Sequence, residues 1–114
     1  MKLYCLDRQR WIVNSLEIAE DARSRKRGLI GHQPLALGQA LMIRPCRWIH
    51  TFGMSFPIDV VYVGKDWRVV ALSESLPPNC IDRPVVRAQF VIEMAAGAIR
   101  HAELTVGDRL ELRP

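Results

Sequence analysis

The chain has 114 residues, of which 49% are hydrophobic and 25% charged, and its 16 basic and 12 acidic side chains leave a net charge of +4. That is average globular composition at the length of one domain with one core, which excludes disordered, collagen-like and coiled-coil classes. No apolar run reaches the roughly 18 residues that span a bilayer, and a modest basic excess does not by itself mark a nucleic-acid binder.

The opening "MKLYCLDRQR" has a broken apolar run and none of the small-residue cleavage pattern of a secretory leader. Cys5, Cys46 and Cys80 are an odd number without C-x-x-C spacing, so reduced thiols and a cytoplasmic location are expected. In chain order, "KLYCLD" and "RWIVNSLEIA" read as a hairpin joined by "DRQR". Residues 20–27, "EDARSRKR", lead with acids and end with bases ahead of Gly28, the pattern of a short helix closed by a left-handed glycine. A turn-rich connection follows, and "ALMIR" reads as a buried strand stopped by Pro45.

Further on, "IDVVYV" (58–63) and "WRVVALSESL" (67–76) form a hairpin around "GKD". "NCIDRP" is a loop, "VVRAQFVIEM" (85–94) a strand, residues 99–104 a short helix and residues 109–112 the last strand. No repeat, linker or long covering helix interrupts this order. It predicts a single domain over residues 1–114 of the α+β class, mostly β. The expected form is a small, strongly bent antiparallel sheet or a partly closed barrel with two short helices.

The residues with chemistry cluster in "CRWIHTFGMSFPID" (46–59). Cys46 and His50 are the candidate catalytic pair, since an imidazole within hydrogen-bond reach activates a thiol. On one straight strand, however, they stand about 13 Å apart. A hairpin of 48–52 with 58–62 pairs Phe52 with Ile58 and sets Thr51 opposite Asp59, so the carboxylate is expected to accept from Thr51 and nearby backbone rather than from His50. A metal site would need Cys46 and His50 joined by Cys80 or His101 from far along the chain, and neither metal nor cofactor is expected.

Glu93 shares a strand face with Val91 and Ala95 and is expected to be solvent-exposed or paired with Arg87 or Arg100, while Asp108 reads as turn chemistry after Gly107. Trp48, Phe52, Met54 and Phe56 read as core around a tight hairpin, with an apolar ligand wall as the alternative. The basic run Arg23, Arg25, Lys26 and Arg27 reads as a solvated helix end, because no stacking aromatics interleave with it.

"ALMIRPCRWIHTFGMSFPIDVVYV" followed by "VIEMAAGAIRHAELTVGDRLEL" resembles the prokaryotic family known as domain of unknown function 192, over about residues 22–112, and "RSRKRGLIG" is similar to that family's arginine-to-glycine-leucine stretch. The resemblance implies a β-rich fold and brings no assigned reaction. Thr51, Met54, Pro57, Asp59, Glu93, Gly97, Gly107 and Asp108 match its recurring positions. His50 stands where the larger branch carries asparagine, and Cys46 belongs to a cysteine-bearing branch. Many relatives are exported behind a signal peptide or lipid anchor, a feature not read in this chain.

The function expected from these readings is a small cytoplasmic binding or accessory domain with Thr51, Asp59, Glu93 and His50 at a shallow cleft. Its partner would be a small molecule, a peptide or a protein, with no membrane and no nucleic acid. The alternatives are a hydrolytic or thiol-dependent enzyme using Cys46 and His50, and a weak polyanion-binding module using the basic run.

Overall fold

A computed structural model describes residues 1–114. Strands β1 (Lys2–Cys5), β2 (Arg10–Val13) and β8 (Leu110–Arg113) form a three-stranded sheet, ordered β2-β1-β8. Strands β3 (Ser15–Ala19), β4 (Gln39–Ile43), β5 (Ile58–Gly64), β6 (Val69–Leu76) and β7 (Ala88–Ala95) form a second sheet, ordered β3-β4-β7-β5-β6. Helices α1 (Ala22–Arg27) and α2 (Ala98–Ala102) complete an α+β fold that is mostly β.

Two sheets therefore replace the one bent sheet or partly closed barrel that the strand pattern predicts. The run "RWIVNSLEIA" is two strands, because the chain leaves the first sheet at Asn14, where the Asn14 and Ser15 N–H groups both donate to the Gly38 carbonyl. From there β3 pairs parallel with β4, Leu16 facing Ala40 and Ile18 facing Met42. A parallel pair needs a crossover, and residues 20–38 with α1 supply it. All other strand pairs are antiparallel.

The larger sheet buries both faces. On one, Met42, Val61, Val63, Phe90, Ile92 and Met94 pack against Leu3, Cys5, Val13 and Leu110 of the small sheet and against Ala98 and Ile99 of α2. On the other, Leu41, Ile43, Ile58, Val60, Tyr62 and Val91 are covered by Leu29, Ile49, Met54 and Phe56 from the long connections. Every residue of β5 is buried, as a central strand covered on both sides requires. No helix is long and apolar enough to cross a membrane.

The short helix has the ends its sequence implies. Asp21 caps α1, its Oδ1 accepting from the Ser24 N–H at 2.8 Å, and Gly28 closes it at φ 49°. That closing turn passes over the second face of the sheet, where a Cβ on Gly28 would stand 3.7 Å from Glu93 Oε1 and 3.8 Å from Ile43 Cδ1. A Cβ would fit there at ordinary contact distance, so glycine is needed for its positive φ.

Candidate functional site

The polar residues read from the sequence as one cluster fall into three separate places. Residues 48–52 do not pair with β5. His50 instead bridges to Ile81, the Thr51 N–H donates to the Cys80 carbonyl at 2.8 Å, and the Asp82 N–H donates to the Ile49 carbonyl at 3.2 Å. The expected hairpin fails because β5 already has partners on both edges, β6 and β7.

Thr51 is consequently a staple for the following loop. Its buried hydroxyl donates to the Pro77 carbonyl at 2.6 Å and accepts from the Cys80 N–H at 2.9 Å. Thr51→Val keeps the shape and orphans a carbonyl and an N–H, so a loss of about 2 kcal/mol is expected in the urea unfolding free energy. An unchanged midpoint would mean that the loop holds without the hydroxyl. The loop has a second anchor in Asp82, whose Oδ2 accepts from Tyr62 Oη at 2.7 Å and Ser73 Oγ at 2.6 Å. Nothing in "NCIDRP" marks that role.

Asp59 lies on the first face of the large sheet, beside Met94, and does not bond to Thr51. Its Oδ1 accepts from the Ser75 N–H at 2.8 Å, where a bulge in β6 lets Ile58 pair with Leu76 and Val60 with Ser73. Its Oδ2 accepts from the Gly97 and Ile99 N–H groups at 3.1 and 2.9 Å. Gly97, the cap residue of α2, has no side chain to offer, and Asp59 meets those first-turn donors from a neighbouring strand. Both oxygens are committed to backbone.

Glu93 lies on the opposite face, paired across the strands with Val60 and Leu41. It is only 3% exposed, and Oε1 has no hydrogen-bond partner. The expected exposure or pairing with Arg87 or Arg100 is not found. Arg100 instead stands 3.9 Å from Glu74, and Glu93 forms no ion pair. The alternation argument misplaces Glu93 because β7 is the middle strand and has no solvent face. Burial pushes its carboxyl from the ordinary 4.5 up to about 7.

Glu93 walls a cavity of about 130 Å³ beneath the end of α1. Arg25, Lys26 and Arg27 line it from the helix, Leu29, Ile43, Ile49 and Met54 supply apolar sides, and Cys46, Trp48 and His50 come from the following segment. Arg25 Nε is also buried without a partner, although its Nη1 reaches the Pro45 carbonyl at 3.4 Å. A larger groove of about 400 Å³ runs along β3 past Ser15, Glu17, Ser24, His32 and Gln39. The smaller cavity is the better candidate, because it alone holds a buried carboxyl with an unmet hydrogen bond.

Cys46 and His50 share that cavity but are not hydrogen-bonded to each other. The thiol donates to the Trp48 carbonyl at 3.2 Å, and His50 Nδ1 accepts from the Phe52 N–H at 3.2 Å. Burial raises the Cys46 thiol above its ordinary value, with a further rise from Glu93 and an opposing effect of Arg25. The aromatic set divides. Met54 and Phe56 are core, whereas Trp48 and Phe52 are about half exposed, with the His50 ring stacked on Phe52 at 5.0 Å.

The potential metal ligands Cys46, His50, Cys80 and His101 do not converge. The group whose ligating atoms do come together is Cys5, Asp7 and Asp108. There Asp108 already accepts from Arg8 Nε at 3.2 Å and the Thr105 N–H at 3.0 Å, so its Oδ2 is already engaged by a guanidinium and a backbone donor.

The family described as an uncharacterized ACR, domain of unknown function 192, matches residues 6–112. The chain belongs to this family. The family has no established chemistry, and no curated protein matches the chain. A protein of unknown function from Novosphingobium aromaticivorans superposes with a TM-score of 0.81 at 17% identity, covering 98% of this chain and 84% of that one. A protein from Sinorhizobium meliloti, provisionally described as a transcription regulator, gives 0.79 at 22% identity, covering 96% of this chain and 89% of that one. Both likenesses show the family fold and carry no function with them.

Sequence reasoning placed Glu93 and His50 at one cleft, with Cys46 beside His50 only in the enzyme alternative and Met54 in a ligand wall only as the alternative to core, and it gave Arg25 no part there. One signal was available. A glutamate inside "FVIEMAAG" has apolar neighbours on both sides, the mark of a strand covered on both faces.

Proposed function

We propose that this family member is a small-ligand-binding domain and that the cavity beneath α1 is its site. Glu93 and Arg25 would be the polar contacts, with His50 and Trp48 at the wall. Thr51 and Asp59, read from the sequence as binding residues, are in this reading structural: Thr51 holds the loop beside the segment that carries His50, and Asp59 holds α2 on the opposite face of the sheet. One observation carries the proposal: a carboxyl buried in the middle strand, with a free acceptor, at the wall of a cavity that also holds an unmet guanidinium N–H. Unpaired buried polar groups cost stability, and a complementary ligand removes that cost.

The enzyme alternative, with Cys46 and His50 as the working pair, has less support, because each already has a different hydrogen-bond partner and burial holds the thiol protonated. A cytoplasmic location goes with the binding reading, supported by three cysteines that all remain free thiols.

The test is a thermal-shift screen of polar fragments against the wild type and Glu93→Gln, with each shift measured from that protein's own ligand-free melting temperature. Fragments that stabilise the wild type and lose their effect in the variant support the site. If every active fragment stabilises both proteins equally, or none is active, the site is wrong.

A further inference from the structure

If the cavity is a binding site, as proposed above, its chemistry narrows the ligand. Two side chains that each carry a buried, unmet atom of opposite demand line one small space. Glu93 Oε1 lacks a donor and Arg25 Nε lacks an acceptor, and the two side chains form no ion pair with each other. Glu93 is the only carboxylate on the walls, whereas Arg25, Lys26 and Arg27 are all cationic and come from one helix end. Leu29, Ile43, Ile49 and Met54 give the walls an apolar surface for a ligand's middle.

A purely anionic ligand would satisfy the arginine and give Glu93 no cationic partner. A purely cationic one would do the reverse beside three basic side chains. A neutral amide could bridge the two groups but would forgo the charge-assisted hydrogen bonds that a full ammonium and a full carboxylate make. What fits both is one molecule with a donor cation at one end, an acceptor anion at the other and a short hydrocarbon between.

We propose that the cavity takes a small zwitterion, a free α-amino acid with a short apolar side chain, its ammonium on Glu93 and its carboxylate on Arg25. The size agrees. A dry cavity of about 150 Å³ holds a six-carbon ring, so about 130 Å³ suits the four or five carbons of such an amino acid with its carboxylate left towards the basic mouth.

The ammonium also gives the site a proton signature. Glu93 holds its proton up to about pH 7 in the empty protein, and a bound ammonium favours the charged carboxylate, so binding releases a proton. The other charged or titratable groups around Glu93 are Cys46, His50, Arg25, Lys26 and Arg27 on the cavity wall, and Tyr62 on the same sheet face.

Isothermal titration calorimetry with L-valine, isobutylamine, isovalerate and isovaleramide separates the possibilities, run near neutral pH in two buffers of different ionisation enthalpy. L-valine is expected to bind at least about tenfold more tightly than any of the other three. Glu93→Gln and Arg25→Met should each weaken it by about tenfold or more, and proton release should be present in the wild type and absent in Glu93→Gln. Equal affinity for any of the three partial ligands overturns the zwitterion and leaves the cavity as a site for that simpler group. If no probe binds the wild type, the zwitterion is also wrong, and the fragment screen then decides separately whether the cavity binds anything.

Discussion

Asp59→Asn is expected to destabilise the protein by about 3 to 5 kcal/mol, read as a lowered urea midpoint in tryptophan fluorescence with the slope unchanged. The carboxylate serves three backbone N–H donors, from Ser75, Gly97 and Ile99, with both oxygens. An asparagine carbonyl can serve one side of this arrangement. Its NH2 then faces donors on the other side, and because Asp59 is fully buried no water replaces what is lost. Against a total stability of about 5 to 15 kcal/mol for a domain of ordinary size, the variant is left marginal. A loss below about 1 kcal/mol would show that α2 and the β6 bulge hold themselves without the carboxylate.

Glu93→Gln is expected to act in the opposite direction, and only at the alkaline end. Burial raises the Glu93 carboxyl from 4.5 to about 7, so the folded protein holds a proton that the unfolded chain has already released. A raised carboxyl contributes most below the unfolded value, and that contribution falls away as pH climbs through the folded value. Stability should therefore drop by about 3 kcal/mol between about pH 4.5 and pH 7 on account of this group and stay low above it. Glutamine cannot ionise. The variant should match the wild type near pH 4 and exceed it by about 2 to 3 kcal/mol near pH 8, in urea unfolding at both values. Parallel stability curves for the two proteins would mean that Glu93 titrates normally and is not confined as described. The same residue would then be costly for stability and needed for binding, the usual relation between a binding site and its scaffold.

The legible part of the fold was the part set by short-range rules. Gly28 after a basic helix end, "GKD" between two apolar runs and Pro45 after "ALMIR" each place a turn or a stop by local chemistry, and the strands and helices lie close to where those signals put them. Pairing was harder. Thr51 opposite Asp59 was a sound deduction for a hairpin, but β5 takes β6 and β7 as neighbours, and one segment cannot announce that a strand over twenty residues later will occupy its edge. Asn14 shows the same limit, since "RWIVNSLEIA" has the composition of one strand and changes sheet where the distant Gly38 carbonyl accepts its backbone N–H groups.

The candidate site was legible as residue types and not as a place. Glu93, His50 and Cys46 stand out in the sequence, but the cavity depends on α1 crossing the sheet at Gly28. That crossing follows from a parallel pairing of β3 with β4 that no hydrophobic pattern distinguishes from an antiparallel one.

The small sheet sets the order in which the molecule can form. Its middle strand, β1, is flanked by β2 on one side and by β8 on the other, with Leu3 facing Leu112. During synthesis β1 is made before the other strands and can pair with β2 well before β8, its second neighbour, follows. Leu3 and Cys5, which the finished core buries, stay without that neighbour in the meantime. Closing so long a loop is slow compared with local hairpins. The large sheet, whose strands are all present by Ala95, can assemble around the nascent chain before the small one locks over it.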